Sequence, residues 1–273
     1  MRYGKFLTGL QFAFTLAVCA FLVVPVILSI LAGLTTNYFI GLQSGLTLRW
    51  VIEVWDGYRN TLFLSLGLAV ACLAVTLVLG VPTAYVLARS RGKLARAVEE
   101  LLMLPVAVPG LATALGLIVA YGGLAGFRTS AAFILVGHVL FTLPFMVRSV
   151  LAVLSVIDLP TLEEGAASLG AGFWQRFRDI VLPNCRNGIL AGALMVVTLS
   201  MGEFNMTWLL HTPFTKTLPV GLADAYASLR LEIGSAYTLI FFLMITPLLL
   251  GLQMLARPRP QRFAAEGTNE VSP

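Results

Sequence analysis

Charge, histidine and strand-like alternation are all scarce in this chain, and each scarcity removes a class of protein. Charged residues make up 11% of the sequence against 58% apolar or aromatic, a balance that excludes an ordinary soluble domain. No run alternates apolar and polar residues between turn signals, which excludes a β-barrel and leaves helices as the way to satisfy the backbone inside lipid. With only His138 and His211 available, the convergent set of bases, nucleophiles or carboxylates that a membrane enzyme needs is missing, and no metal site is expected. Cys19 and Cys72 lie in apolar runs and Cys185 in a polar stretch, so a disulfide framework has no support. Gly92-Lys93 lacks both the upstream glycine and the following hydroxyl of a phosphate loop, so the chain holds no nucleotide motor of its own. Basic and aromatic residues do not alternate on any exposed segment, and no nucleic acid partner is implied.

What is present is a series of six apolar segments, roughly 6–34, 61–88, 101–124, 130–153, 188–210 and 235–256, each near the ~20 residues that cross a bilayer as a helix. The fold class is an all-α membrane protein of about six transmembrane helices. Lys and Arg divide about 13 to 5 between the two sides, and the excess places both termini and the long loop in the cytoplasm. The formal charge of +5 is mostly this asymmetry. Arg2 and Lys5 precede the first apolar run, whose length and internal Pro25 argue for a retained span over a cleaved signal. The reading is one transmembrane domain over 1–257, followed by a flexible tail at 258–273.

The polar stretch 156–187 between the fourth and fifth spans is the most informative part. Asp158-Leu159-Pro160 ends the fourth span, and Thr161-Leu162-Glu163-Glu164 matches a capping box that starts a helix. Gly165, Ala166 and Ala167 keep that helix slim, and Gly170 is placed to end it in a left-handed conformation. Phe173, Phe177, Ile180 and Val181 then form an apolar stripe, and Leu182-Pro183 is read as its close. Two short helices making a small rigid knob are expected.

The order Glu164, Gly165, Ala166, Gly170 and then Ile180-Val181-Leu182-Pro183 resembles the EAA loop of the membrane-spanning subunits of bacterial type I ATP-binding-cassette importers, with Gly165 where the family usually has Ala. The likeness extends to the whole chain in span number, length and polarity; the spacing of Glu203 after the loop and the layout of the tail end most resemble the polyamine, 2-aminoethylphosphonate and ferric iron permeases, and Gly202-Glu203-Phe204 also the sulfate and molybdate ones. The resemblance implies a multi-pass permease of the bacterial inner membrane. It also implies a second permease subunit, two cytoplasmic ATP-binding-cassette subunits that carry the ATP and Mg, and an extracytoplasmic solute-binding protein. No cofactor on this chain is implied. Under it, Glu163, Glu164, Gly165, Ala166, Gly170, Phe173, Phe177 and Pro183 form the coupling loop, with Glu164 a charged contact to the ATPase. Lys216, Asp224 and Arg230, in the outer stretch 212–234, are candidate contacts for the binding protein.

Ionisable groups inside spans are costly and point to function. Glu203 and His138 fall about 11 and 12 Å inside the outer boundary at ~1.5 Å per residue, so they share a depth and can face each other or one cavity. Glu203, Asn205 and His138 are candidates for the translocation path or its gate. A structural carboxylate bonded to His138 or to a neighbouring hydroxyl is the competing reading. Pro105, Pro109 and Gly110 predict a bent third span.

Overall fold

The computed structural model describes residues 2–90 and 92–256; the tail at 258–273 lies outside them. The chain runs as α1 (Arg2–Ala32), α2 (Arg49–Arg89), α3 (Lys93–Ala107), α4 (Gly110–Tyr121), α5 (Ala125–Arg128), α6 (Ala131–Leu154), α7 (Leu159–Ser168), α8 (Phe173–Arg176), α9 (Leu182–Gly202), α10 (Asn205–Leu210), α11 (Leu218–Ala227) and α12 (Leu231–Ala256). A π-helical turn at Phe177–Val181 joins α8 to α9. Among the described residues five helical stretches are long and apolar enough to cross a membrane, or six if the bent pair α3–α4 is counted as one span.

The centre of the bundle is α2, α6 and α9, which pack on one another through buried Cys72, Met146, Val147, Val150, Ala193 and Val196. Glycines set the spacing. A Cβ on Gly188 would lie 2.5 Å from the Ser149 carbonyl oxygen and 2.9 Å from the Val150 Cα, so α9 meets the backbone of α6 with nothing between them. The first helix stands apart, with exposed side chains along most of its length. It is held at its end, where Ala236 of α12 lies against Gly33. Around the core, α12 packs on α9 and α2, and α4 lies against α10.

Three boundaries differ from the sequence expectation, each for a local reason. The second helix begins at Arg49, well before the apolar segment expected at 61–88. Trp50, Val51, Val54 and Tyr58 form a helical stripe against α11 and α12, and the intervening Glu53, Asp56 and Arg59 hide it from a search for unbroken apolar runs. The bend expected at Pro109 and Gly110 is present and amounts to a break: α3 and α4 meet at 102°, where Val108 is extended before Pro109. The stretch 188–210 is also two helices, because Glu203 leaves helical geometry with ψ of 119°. Finally, α7 starts two residues before Thr161, so the expected capping box does not form. Asp158 is the capping residue and Pro160 sits in the first turn, and the Thr161 hydroxyl donates to Asp158 Oδ2 at 2.6 Å.

Leu182-Pro183 does not close the second loop helix either. The helical path continues through it into α9, because Pro183 stands in the first turn of α9, where its missing N–H is tolerated. Asn184 Nδ2 donates to the Ile180 carbonyl at 2.8 Å.

Gly188→Ala is expected to lower the thermal midpoint of the detergent-purified chain, corresponding to about 1–3 kcal/mol of overpacking. Gly165→Ala, where nothing lies within 4 Å, is expected to be neutral or to stabilise by up to ~1 kcal/mol. Circular-dichroism melts of both variants check the pair.

Candidate functional site: a broken helix and a polar loop

Glu203 sits at the break between α9 and α10 and does the work of a helix cap. Its Oε1 accepts the Met206 N–H at 2.8 Å, and its Oε2 accepts the Thr207 N–H at 2.8 Å and the Thr207 hydroxyl at 2.6 Å. A carboxylate at this position satisfies free amides and opposes the positive end of the helix dipole. The other end of α10 is closed by Arg128, whose guanidinium donates to the carbonyls of Leu210 at 2.8 Å and Leu209 at 3.2 Å. This six-residue helix therefore has an anion at its start and a cation at its end.

His138 of α6 joins the same cluster. Its Nδ1 is 2.8 Å from Ser200 Oγ and its Nε2 is 2.9 Å from Thr207 Oγ1, and the ring is 2% exposed. Thr207 spends its hydroxyl proton on Glu203, so toward the histidine it accepts, and the network assigns a proton to Nε2. His138 and Glu203 are thus brought together as their shared depth anticipates, at 3.9 Å, with the threonine hydroxyl between them. The break in the third span faces this point. A Cβ on Gly110 would stand 3.4 Å from the Asn205 Cβ and 3.8 Å from Glu203 Oε1, so the starts of α4 and α10 converge beside one carboxylate. Asn205 itself is exposed.

The second cluster is the loop after α6. In α7 the two buried residues are Leu159 and Glu163, one helical turn apart on a single face. Glu163 is only 2% exposed. Its Oε1 accepts the Tyr85 hydroxyl at 2.7 Å, Arg89 Nη1 lies 3.0 Å from its Oε2, and Arg89 also donates to the Tyr85 oxygen at 2.7 Å. Glu163 therefore faces α2, unlike Glu164, Gly165 and Gly170, which are exposed. Ala166 is partly buried. Gly170 has φ of +87°, the left-handed conformation that closes α7, and Ala171 N–H reaches back to the Ala166 carbonyl at 3.0 Å. Phe173 and Phe177 stack with ring centroids 6.4 Å apart and both lie against Tyr85. Beyond them Leu169 is 91% and Trp174 76% exposed.

At the opposite end of the bundle, Lys216 pairs with Asp224, and Arg230 with Glu53 and the Tyr58 hydroxyl. Sequence reading missed the roles of Arg128, Tyr85 and Arg89. The one local signal was the i, i+4 spacing of Tyr85 and Arg89 on a helix end. Among the described residues no group of three or more His, Cys, Asp or Glu side chains is placed to hold a metal.

Apolar spans, two of them broken at one point, and a polar knob between spans define a multispan transport subunit. The chain belongs to the family described as the binding-protein-dependent transport system inner membrane component, whose model matches residues 78–258. It is therefore a permease subunit of an ABC importer in the inner membrane. It is 25% identical over 244 residues to PhnV of Salmonella typhimurium, a permease protein named for 2-aminoethylphosphonate transport, covering 89% of this chain and 92% of the relative. The molybdenum transport system permease ModB of Mycobacterium tuberculosis is 28% identical over 76% of this chain and 83% of its own. The sulfate transport system permease CysW of Synechocystis is 29% identical over 69% and 74%. In fold, the chain matches a bacterial ABC transporter involved in the import of the acidic polysaccharide alginate, with a TM-score of 0.68 at 17% identity, covering 91% of this chain and 95% of that one.

Glu203→Ala is expected to cost about 2–4 kcal/mol, since two amides and one hydroxyl lose their acceptor, and His138→Ala about 1–3 kcal/mol. Thermal unfolding in detergent measures both. Wild-type stability in Glu203→Ala together with lost transport would instead make the carboxylate a solute contact.

Proposed function

We propose that this chain forms a translocation path together with a second permease subunit, and that its 161–183 loop seats in one of two cytoplasmic ATP-binding-cassette subunits. ATP and Mg bind on those partner chains, and this chain moves with them. The end of the bundle carrying the loop, and both termini, face the cytoplasm. The opposite rim, with Lys216, Asp224 and Arg230, receives a solute-binding protein, and the paired breaks at Gly110 and Glu203 gate the path, with Asn205 at its wall.

The observation that carries this reading is the loop itself: an exposed acid at Glu164 and large exposed apolar side chains at Leu169 and Trp174, on a knob whose inner face is fixed to α2. Exposed apolar residues on a fixed polar loop are what a docking element needs and what a solvated connection lacks. Broken helices lining a path keep irregular backbone where protein groups can satisfy it. For the solute, PhnV among the relatives above supports the phosphonate member of the expected set, 2-aminoethylphosphonate or a similar compound, with a polyamine or ferric iron as its other members. Sulfate and molybdate share its oxyanion chemistry and form the second reading.

Purification of the chain from its native membrane with whatever subunits accompany it tests the proposal. A stable complex is expected, with Glu164→Lys lowering recovery of the ATPase by about tenfold or more, as for a reversed interface charge. A wild-type chain that holds no ATPase would favour a secondary transporter.

A further inference from the structure

The loop must pass movement into the bundle, and the structure narrows how. Of the ten residues in α7, Leu159 and Glu163 are the ones buried, so the fully buried contacts of α7 are made by one leucine and one carboxylate. The leucine contact is non-directional. The carboxylate is not: it is held by a hydrogen bond from Tyr85 and an ion pair from Arg89, which also bond to each other. The three groups form a closed triangle on the last turn of α2. Tyr85 also contacts the other half of the loop, its ring lying 5.5 Å from Phe177 and 6.3 Å from Phe173. Both loop helices are thus tied to one tyrosine. Pro82, three residues earlier, removes a helix hydrogen bond and gives α2 a place to bend there.

From this geometry we infer that Glu163 and Tyr85 are positioning residues for transport: through them a displacement of the loop becomes a displacement of the last turn of α2. The inference rests on the coupling role proposed above. A buried carboxylate suits the task because swapping its partners is costly, so loop and helix end move as one body. Arg89, 45% exposed, holds its guanidinium 3.0 Å from that carboxylate at the rim. Glu164, one residue on, points outward and belongs to the docking face, so neighbouring acids in the same motif divide the work: one grips the partner, the other grips the bundle.

The test uses the full transporter in lipid nanodiscs, with Glu163→Gln and Tyr85→Phe beside wild type. Subunit recovery, thermal midpoint, basal ATP hydrolysis and hydrolysis stimulated by the solute-binding protein, as isolated with its endogenous ligand, are measured together. Tyr85→Phe deletes a single hydroxyl and leaves the ring contacts, so it assembles even where Glu163→Gln does not. The expected result is normal recovery and basal rate in Tyr85→Phe, with the stimulated-to-basal ratio down by about tenfold, the scale of one charge-assisted hydrogen bond. A ratio equal to wild type in Tyr85→Phe overturns the inference, as does a fall in midpoint and in both rates by the same factor, which marks a purely structural bond. Loss of the ATPase from the wild-type complex overturns the coupling reading itself, and the inference with it; it is seen before any variant is compared.

Discussion

Inside hydrocarbon a backbone amide has no water to turn to, so a helix that breaks there has to bring its own acceptor. Glu203 meets that demand. It accepts from two amides and one hydroxyl of the next helix, and because it does, α9 can stop at Gly202 and a new short helix can start in a different direction. The position of α10 then fixes much else. Arg128 closes its far end, Thr207 carries the link to His138, and Met206 and Leu210 fill the cluster made with Leu117 and Phe133. Gly110 brings the other broken span to the same spot. One carboxylate thereby allows two interruptions to face each other within the bundle, a geometry suited to a gate.

The loop at one end solves a different problem. In the proposed coupling role it has to offer a rigid surface to another protein while remaining attached to helices that move. Gly170 folds the two short helices against each other, and the aromatic group of Tyr85, Phe173 and Phe177 stiffens them. Glu163 secures the whole to α2. The outward residues, Glu164, Leu169 and Trp174 among them, are exposed. Continuity through Pro183 into α9 gives the knob a second direct connection to the core.

Much of this was legible in the residue order. Six apolar stretches announced the spans, and the spacing from Glu164 through Gly170 to Pro183 announced the loop. The shared depth of His138 and Glu203 followed from counting residues along two helices. What stayed hidden depends on contacts between distant parts of the chain. Glu163 looked like part of the docking face because its partners, Tyr85 and Arg89, lie 78 and 74 residues earlier. Leu182-Pro183 looked like an ending, since a proline stop and a proline in the first turn of a new helix read alike in sequence. The first turns of α2 were masked by Glu53, Asp56 and Arg59, which are charged yet belong to a helix whose other face is buried against α11 and α12.

The central claim is that the face of the loop bearing Leu169 and Trp174 is a seat for an ATPase subunit. Its most direct measurement is site-specific photo-cross-linking from position 169 in membrane vesicles that contain the native complex. The account predicts a cross-link to the ATP-binding-cassette subunit, suppressed when the same probe stands at buried position 159. Cross-links from position 169 to lipid alone, with the ATPase present and active, would contradict it.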